Sequence, residues 1–186
     1  ESLNPPAVTA VQLNLLASHD TPRVLTLCSG DLDSVRLAML LQMTLPGAPC
    51  IYYGDEIGMA GSADPDSRRA FPADPAEWDG EPSAWFADLA ALRHSSRAFR
   101  DADLALLGPE GPAIAYLRQD GDEAFAVVAN AGDDGLAWEV PLPTRASDAS
   151  VVPLRGRAAG ECSAAMDGET LRIGLPGRTG MVVRLS

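Results

Sequence analysis

The sequence predicts an α/β fold over its first hundred residues and an all-β fold over the rest. Two apolar runs, at residues 13–17 and 48–53, are separated by a stretch whose apolar residues recur at helical spacing. Beyond Asp101 the apolar runs become short and flank Asp-Gly pairs, which are strong signals for hairpin turns. We therefore predict a domain boundary near Asp101, with one domain at residues 1–100 and the other at 101–186.

The first predicted elements form a βαβ unit. Leu13 to Ala17 is apolar enough for a strand buried on both faces, and Ala48 to Tyr53 has the same character. Between them, a helix is predicted to begin at the acids of residues 31–33 and to end near Leu45, before Pro46-Gly47. A helical crossover of this kind joins parallel strands, so both carboxyl ends are predicted at one edge of a sheet.

A long polar segment and a second helix follow. Residues 54–82 are rich in Gly, Pro and Asp and are too long for a plain connection, which favours a functional loop. The next helix has Trp85, Leu89 and Leu92 at helical spacing and is predicted to reach Arg100. Trp85 is therefore expected to pack in the core.

The second half is predicted to be an antiparallel β-sandwich. Two hairpins are expected, each around an Asp-Gly pair. The first joins residues 113–118 to 123–130, and the second joins residues 162–166 to 169–175. Short strands at this spacing are typical of sandwiches and barrels.

Composition excludes several classes of partner. A net charge of −12 argues against binding to nucleic acid or to an anionic membrane, since both need clustered cations. Neutral sugars stay compatible with this charge. The three cysteines lack metal-ligand spacing and favour thiols over a disulfide framework, which fits a reducing compartment. We expect no metal, no cofactor and a location in a bacterial cytoplasm, with secretion as the open alternative.

Two segments place ionisable residues directly after the predicted parallel strands. The run Ser18-His19-Asp20-Thr21-Pro22-Arg23 follows the first strand, and Gly54-Asp55-Glu56 follows the second. In (β/α) barrels, residues at the carboxyl ends of strands form the catalytic rim. Taken without further context, a His-Asp pair that ends a strand is more often a structural turn than a catalytic group.

These two segments together closely resemble stretches of the alpha-amylase family of glycoside hydrolases. The Ser-His-Asp-Thr-Pro-Arg form resembles the neopullulanase, cyclomaltodextrinase and maltogenic-amylase branch of that family. The resemblance implies a C-terminal fragment, with the last two βα units of a TIM (β/α)₈ barrel followed by a C-terminal antiparallel β-sandwich. It also implies retaining cleavage of α-1,4 glucosidic bonds, with α-1,6 bonds as an open alternative, in maltooligosaccharides, cyclodextrins or pullulan.

The resemblance assigns roles to four residues. Asp20 matches the third carboxylate of the family, which stabilises the transition state, and His19 matches a substrate-binding residue beside it. Asp64 and Arg68 match a glucose subsite on the non-reducing side of the cleaved bond. An acid and a guanidinium four residues apart can bind vicinal hydroxyls from one loop.

The resemblance places the nucleophile and the acid/base on earlier strands of the barrel, which this chain does not contain. The fragment alone is therefore expected to be inactive. Glu56 is expected to support its loop, and Arg23 to be a structural ion-pair partner. The open strand edges predict self-association or pairing with a complementary barrel fragment. The alternative from another functional class is a non-catalytic carbohydrate-binding or structural β-sandwich module.

Overall fold

The structure is a computed structural model and describes residues 5–155 and 162–186. Its helices are α1 (Pro6–Thr9), α2 (Val24–Leu27), α3 (Leu32–Thr44), α4 (Gly80–Ser95) and α5 (Arg97–Arg100). Its strands are β1 (Leu13–Leu15), β2 (Ala48–Cys50), β3 (Leu104–Glu110), β4 (Ala113–Asp120), β5 (Glu123–Asn130), β6 (Leu136–Pro141), β7 (Ala149–Val151), β8 (Ser163–Asp167), β9 (Thr170–Leu175) and β10 (Thr179–Leu185). None of the helices in the described ranges has the length and apolarity that a bilayer crossing requires.

The predicted βαβ unit is confirmed. Strands β1 and β2 pair in parallel, with Leu13 opposite Ala48, and α3 lies between them in sequence. The carboxylate of Asp31 caps α3 by accepting hydrogen bonds from the backbone N–H groups of Asp33 and Ser34. Strand β2 ends at Cys50, three residues before the predicted end.

The prediction that β1 is buried on both faces was wrong for this chain. The side chain of Gln42 on α3 donates hydrogen bonds to the carbonyls of Asn14 and Cys50, so the helix covers one side of the strand pair. Leu13 and Leu15 occupy alternate positions of β1 and remain 65% and 53% exposed. The second edge of β1 is also free, because β1 pairs with β2 alone among the described strands.

The predicted second helix is split in two, so its expected continuation to Arg100 was wrong. Ser96 has an extended backbone between α4 and α5, and its hydroxyl accepts a hydrogen bond from the N–H of Ala98. A serine in this position caps a new helix instead of continuing the old one. Trp85 is buried on α4, as its spacing predicted.

The predicted antiparallel sandwich is present. One sheet has the strand order β3-β4-β5-β10-β7, and the other has the order β6-β9-β8. Both predicted Asp-Gly hairpins are confirmed, as β4–β5 and β8–β9. Buried apolar side chains from both sheets form one core between them, including Val128, Val140, Leu171, Ile173 and Val183.

The larger sheet is also buried on its second face, where it packs against the helices. Tyr116, Phe125 and Val182 share a hydrophobic core with Leu40 of α3 and Leu89 of α4. Because side chains alternate along a strand, each central strand contributes to both cores. The core is therefore continuous across the predicted boundary near residue 101.

Polar contacts reinforce this junction. The hydroxyl oxygens of Thr44 and Tyr116 are 2.6 Å apart, and burial raises the pKa of Tyr116 to about 12. The buried guanidinium of Arg118 donates to the carbonyls of Thr44, Phe99 and Ala102, and burial lowers the pKa of Arg118 to about 10. The helical half and the larger sheet are therefore joined both by apolar packing and by hydrogen bonds to backbone carbonyls.

Candidate active site

A tight turn after β1 presents His19 and Asp20 to solvent. The N–H of Ser18 donates to the hydroxyl of Thr21, and the N–H of Asp20 donates to the hydroxyl of Ser18. His19 Nε2 and Asp20 Oδ2 are 3.1 Å apart, and their side chains are 63% and 70% exposed. The pair lies just beyond the carboxyl end of a parallel strand, where (β/α) sheets place their functional groups.

The long loop after β2 brings Asp64 and Arg68 to the same place. Arg68 Nε lies 3.0 Å from Asp64 Oδ1, and Arg68 Nη2 lies 3.5 Å from Asp20 Oδ1. Arg68 Nε and the hydroxyl of Ser67 both donate to the carbonyl oxygen of His19, at 3.2 Å each. The structure therefore groups all four candidate residues, His19, Asp20, Asp64 and Arg68, which we call the rim cluster.

A buried arginine lies between the two segments that carry the rim cluster. Arg23 is fully buried, and its Nη1 donates to the carbonyl of Tyr53 at 2.6 Å and lies 3.4 Å from Asp55 Oδ1. Its guanidinium also lies 4.6 and 4.8 Å from the ring centroids of Tyr52 and Tyr53, within cation–π range. Arg23 is thus the ion-pair partner that the sequence predicted, and its side-chain hydrogen bonds and ion pair within the described residues go to Tyr53 and Asp55.

The two tyrosines extend this support to the loop. The hydroxyl of Tyr52 donates to the carbonyl of Ser67, and that of Tyr53 donates to the carbonyl of Arg69. These contacts hold the backbone on both sides of Arg68. Sequence reasoning missed the tyrosines and Ser67, because hydroxyl-to-carbonyl contacts over 15 or more residues leave no local pattern.

Asp55 and Glu56, the acids that follow β2, form contacts that support the structure. Burial raises the pKa of Asp55 to about 6, and the neighbouring Arg23 opposes this rise. Glu56 Oε2 accepts a hydrogen bond from the N–H of Gly54 at 2.7 Å, so it supports its own turn, as predicted. Neither acid belongs to the rim cluster.

The rim cluster is suited to binding a neutral polyol. Its carboxylates accept hydrogen bonds from hydroxyl groups, and its guanidinium donates to hydroxyl oxygens. All four side chains are between 48% and 70% exposed and therefore accessible to a ligand. Within the described residues, His, Cys, Asp and Glu side chains form no group of three that could hold a metal ion.

The match to known proteins covers the part of the chain that carries this cluster. The family profile described as "Alpha amylase, catalytic domain" matches residues 4–103. This chain belongs to the alpha-amylase family. All four rim-cluster residues lie within the matched range.

Similar proteins include a cyclomaltodextrinase and a neopullulanase. The chain is 41% identical over 174 residues to the cyclomaltodextrinase of Geobacillus thermopakistaniensis, covering 92% of this chain and 29% of that protein. It is 41% identical over 119 residues to neopullulanase 2 of Thermoactinomyces vulgaris, covering 63% of this chain and 20% of that protein. The chain therefore spans less than a third of the length of these relatives.

Solved structures show the same architecture. The debranching enzyme of Nostoc punctiforme, in an acarbose-soaked crystal, matches with a TM-score of 0.82 at 33% sequence identity. The match covers 96% of this chain and 34% of that enzyme. The helical half and the antiparallel sheets of this alpha-amylase family chain thus match together.

Proposed function

We propose that this chain is the C-terminal portion of a retaining glycoside hydrolase. In this proposal β1 and β2 are the last two strands of a (β/α)₈ barrel, and β3 to β10 form the C-terminal sandwich. The rim cluster is the observation that carries the proposal, because it lies at the carboxyl edge of a parallel strand pair. Barrel enzymes build their active sites at that edge. The free edge of β1 is then the edge with which an earlier barrel strand pairs.

The proposed substrates are α-glucans with α-1,4 glucosidic bonds, with α-1,6 bonds as the alternative. The names of the relatives support this class, since they include cyclomaltodextrinase, maltogenic alpha-amylase and neopullulanase. An uncharged substrate is also compatible with the net charge of −12. Cyclodextrins, maltooligosaccharides and pullulan are therefore the substrates to assay.

Each rim-cluster residue has a proposed role. Positive charge develops on the sugar ring in the transition state of glycoside hydrolysis, and the carboxylate of Asp20 stabilises that charge while it binds hydroxyls of the reacting glucose. His19 donates a hydrogen bond to the same sugar. Asp64 and Arg68 bind a glucose unit on the non-reducing side of the cleaved bond.

The nucleophile and the acid/base are proposed to come from chain upstream of these residues. A retaining glycosidase needs two carboxyl groups about 5 Å apart across the scissile bond. Asp20 is assigned to a third function, and Asp55 and Glu56 are engaged in structural contacts. We therefore expect the 186-residue chain alone to be inactive and to self-associate or to pair with a complementary barrel fragment.

A non-catalytic carbohydrate-binding module is the alternative. Such modules present exposed aromatic rings to sugars. On the described sandwich, Tyr116 and Phe125 are buried and Trp138 is half-buried. The exposed polar cluster lies in the helical half instead, which favours the enzyme.

The test uses the protein extended upstream in its own reading frame, here called the extended protein. We expect it to release reducing sugar from β-cyclodextrin, and we expect Asp20→Asn to lower kcat by about a hundredfold or more. Asp122→Asn is the matched control, because Asp122 is an exposed aspartate on the β4–β5 hairpin, far along the chain from the cluster. Near-normal turnover in Asp20→Asn, or hydrolysis by the 186-residue chain alone, would overturn the proposal.

A further inference from the structure

Exposed aromatic side chains are concentrated in one loop. The sequence has three tryptophans, three tyrosines and four phenylalanines. Among the aromatic residues that the structure describes, only Tyr53, Phe71 and Trp78 are exposed, each at 39%, and all three lie between β2 and α4. The rim-cluster assignment uses none of these rings. Apolar surface concentrated in this way is typical of a binding site.

Phe71 and Trp78 form a preformed pair. Their ring centroids are 5.5 Å apart and the planes meet at 71°, which is an edge-to-face arrangement. The indole N–H of Trp78 donates to the carbonyl of Pro72, which fixes the orientation of the ring. Asp74 caps the turn between the two rings by accepting a hydrogen bond from the N–H of Ala76. Little side-chain freedom would be lost when a ligand binds to this pair.

The pair is continuous with the rim cluster along the chain. Arg69 follows Arg68 of the cluster directly, and its side chain forms an ion pair with Asp66 at 2.6 Å. Its carbonyl accepts the hydrogen bond from the hydroxyl of Tyr53. Phe71 comes two residues later. The same anchored segment therefore presents polar groups at one end and aromatic faces at the other.

We propose that Phe71 and Trp78 form an aromatic platform that binds a further glucosyl unit of an α-glucan chain, beyond the units bound by the rim cluster. This proposal rests on the proposed function and adds a subsite to it. The C–H faces of a glucose ring are apolar and pack on aromatic rings, while the hydroxyls at the ring edge stay hydrated. Exposed Asp74 and Glu77 lie between the two rings in sequence and disfavour an anionic ligand. A neutral sugar has an apolar face that packs on the rings and carries no negative charge.

The kinetic test compares a long and a short substrate in the extended protein. We expect Phe71→Ala and Trp78→Ala to raise KM for maltoheptaose about three- to tenfold, because each removes one aromatic contact. We expect these variants to leave kcat unchanged, and we expect KM for maltotriose to be unchanged as well. Phe71→Tyr keeps its ring and should leave both KM values unchanged. Trp78→Phe keeps a ring but loses the hydrogen bond to Pro72, so it should raise KM for maltoheptaose less than Trp78→Ala does. Leu106→Ala is the matched control, since Leu106 is an exposed apolar residue on the sandwich.

Three results would overturn the platform. One is an equal effect of the alanine variants on both substrates, and another is no effect on either substrate. The third is a change of oligomeric state in light scattering without a change in KM, which would identify the pair as a protein contact.

A binding measurement on the 186-residue chain separates this proposal from the proposed function. Maltoheptaose should change the tryptophan fluorescence of the wild-type chain and of Asp20→Asn, but not that of Trp78→Ala. That result would support the platform even if the extended protein hydrolysed none of the substrates. An unchanged spectrum of the wild-type chain with maltoheptaose would overturn the platform, whatever the activity of the extended protein.

Discussion

The buried ion pair between Arg23 and Asp55 predicts how the stability of this chain depends on pH. Burial raises the pKa of Asp55 from its ordinary value of 3.8 to about 6, although Arg23 opposes the rise and Glu56 adds to it. Between these two pH values the folded chain holds a proton that the unfolded chain has lost. Stability from this group is therefore complete below pH 3.8 and is lost as pH rises through about 6.

The size of the effect follows from the same values. A difference of one in pKa corresponds to about 1.4 kcal/mol, so Asp55 alone lowers the free energy of unfolding by about 3 kcal/mol across this window. The variant Asp55→Asn keeps the size of the side chain and removes its ionisation. Its absolute stability also reflects the loss of the charge partner of Arg23, whose Nε and Nη2 have no hydrogen-bond partner among the described residues. The pH dependence of the free energy of unfolding separates the ionisation of Asp55 from the loss of the charge partner of Arg23.

The assay is urea-induced unfolding of the 186-residue chain at a series of pH values from below 4 to above 7. We expect the wild-type chain to lose about 3 kcal/mol relative to Asp55→Asn as pH rises through this range. The control Asp122→Asn should remain offset from wild type by a constant amount, because Asp122 is exposed. Parallel curves for wild type and Asp55→Asn would refute the reasoning. A carboxyl NMR titration of Asp55 with a midpoint near 4 would refute it independently.

Three further predictions concern the subsite, the uncovered strand and the packing of α3. In the extended protein, Arg68→Ala should weaken activity on long linear glucans more than on a short activated glucoside, since Arg68 acts away from the cleaved bond; equal losses would contradict its assignment. The 186-residue chain should form oligomers in light scattering through β1, and Leu15→Ser should reduce their fraction; a monodisperse wild-type monomer would contradict this. Gly180→Ala should lower the free energy of unfolding by about 1–3 kcal/mol, because its Cβ would lie 2.2 Å from Leu40 Cδ2 on α3. Gly80→Ala is its control, as a Cβ there meets nothing within 4 Å, and an equal loss in both variants would contradict the packing argument.

Local signals in the sequence determined much of the fold. The acids before α3 predicted its start, and Pro46-Gly47 predicted its end, because capping and helix termination depend on residues within one turn. The Asp-Gly pairs predicted both hairpins for the same reason. The Ser-His-Asp-Thr-Pro-Arg form pointed to the family, and the catalytic-domain match agrees with it.

Contacts between distant residues were decided only by the tertiary structure. Arg68 meets the carbonyl of His19 from 49 positions away, and Tyr116 meets Thr44 from 72 positions away. No periodicity or turn signal encodes such pairs, because they depend on how whole elements pack. The exposure of Leu15 has the same origin: its apolar side chain predicted burial, but burial requires a covering element, and no described element covers it. Sequence pattern determines which surface is apolar, whereas tertiary packing decides what that surface contacts.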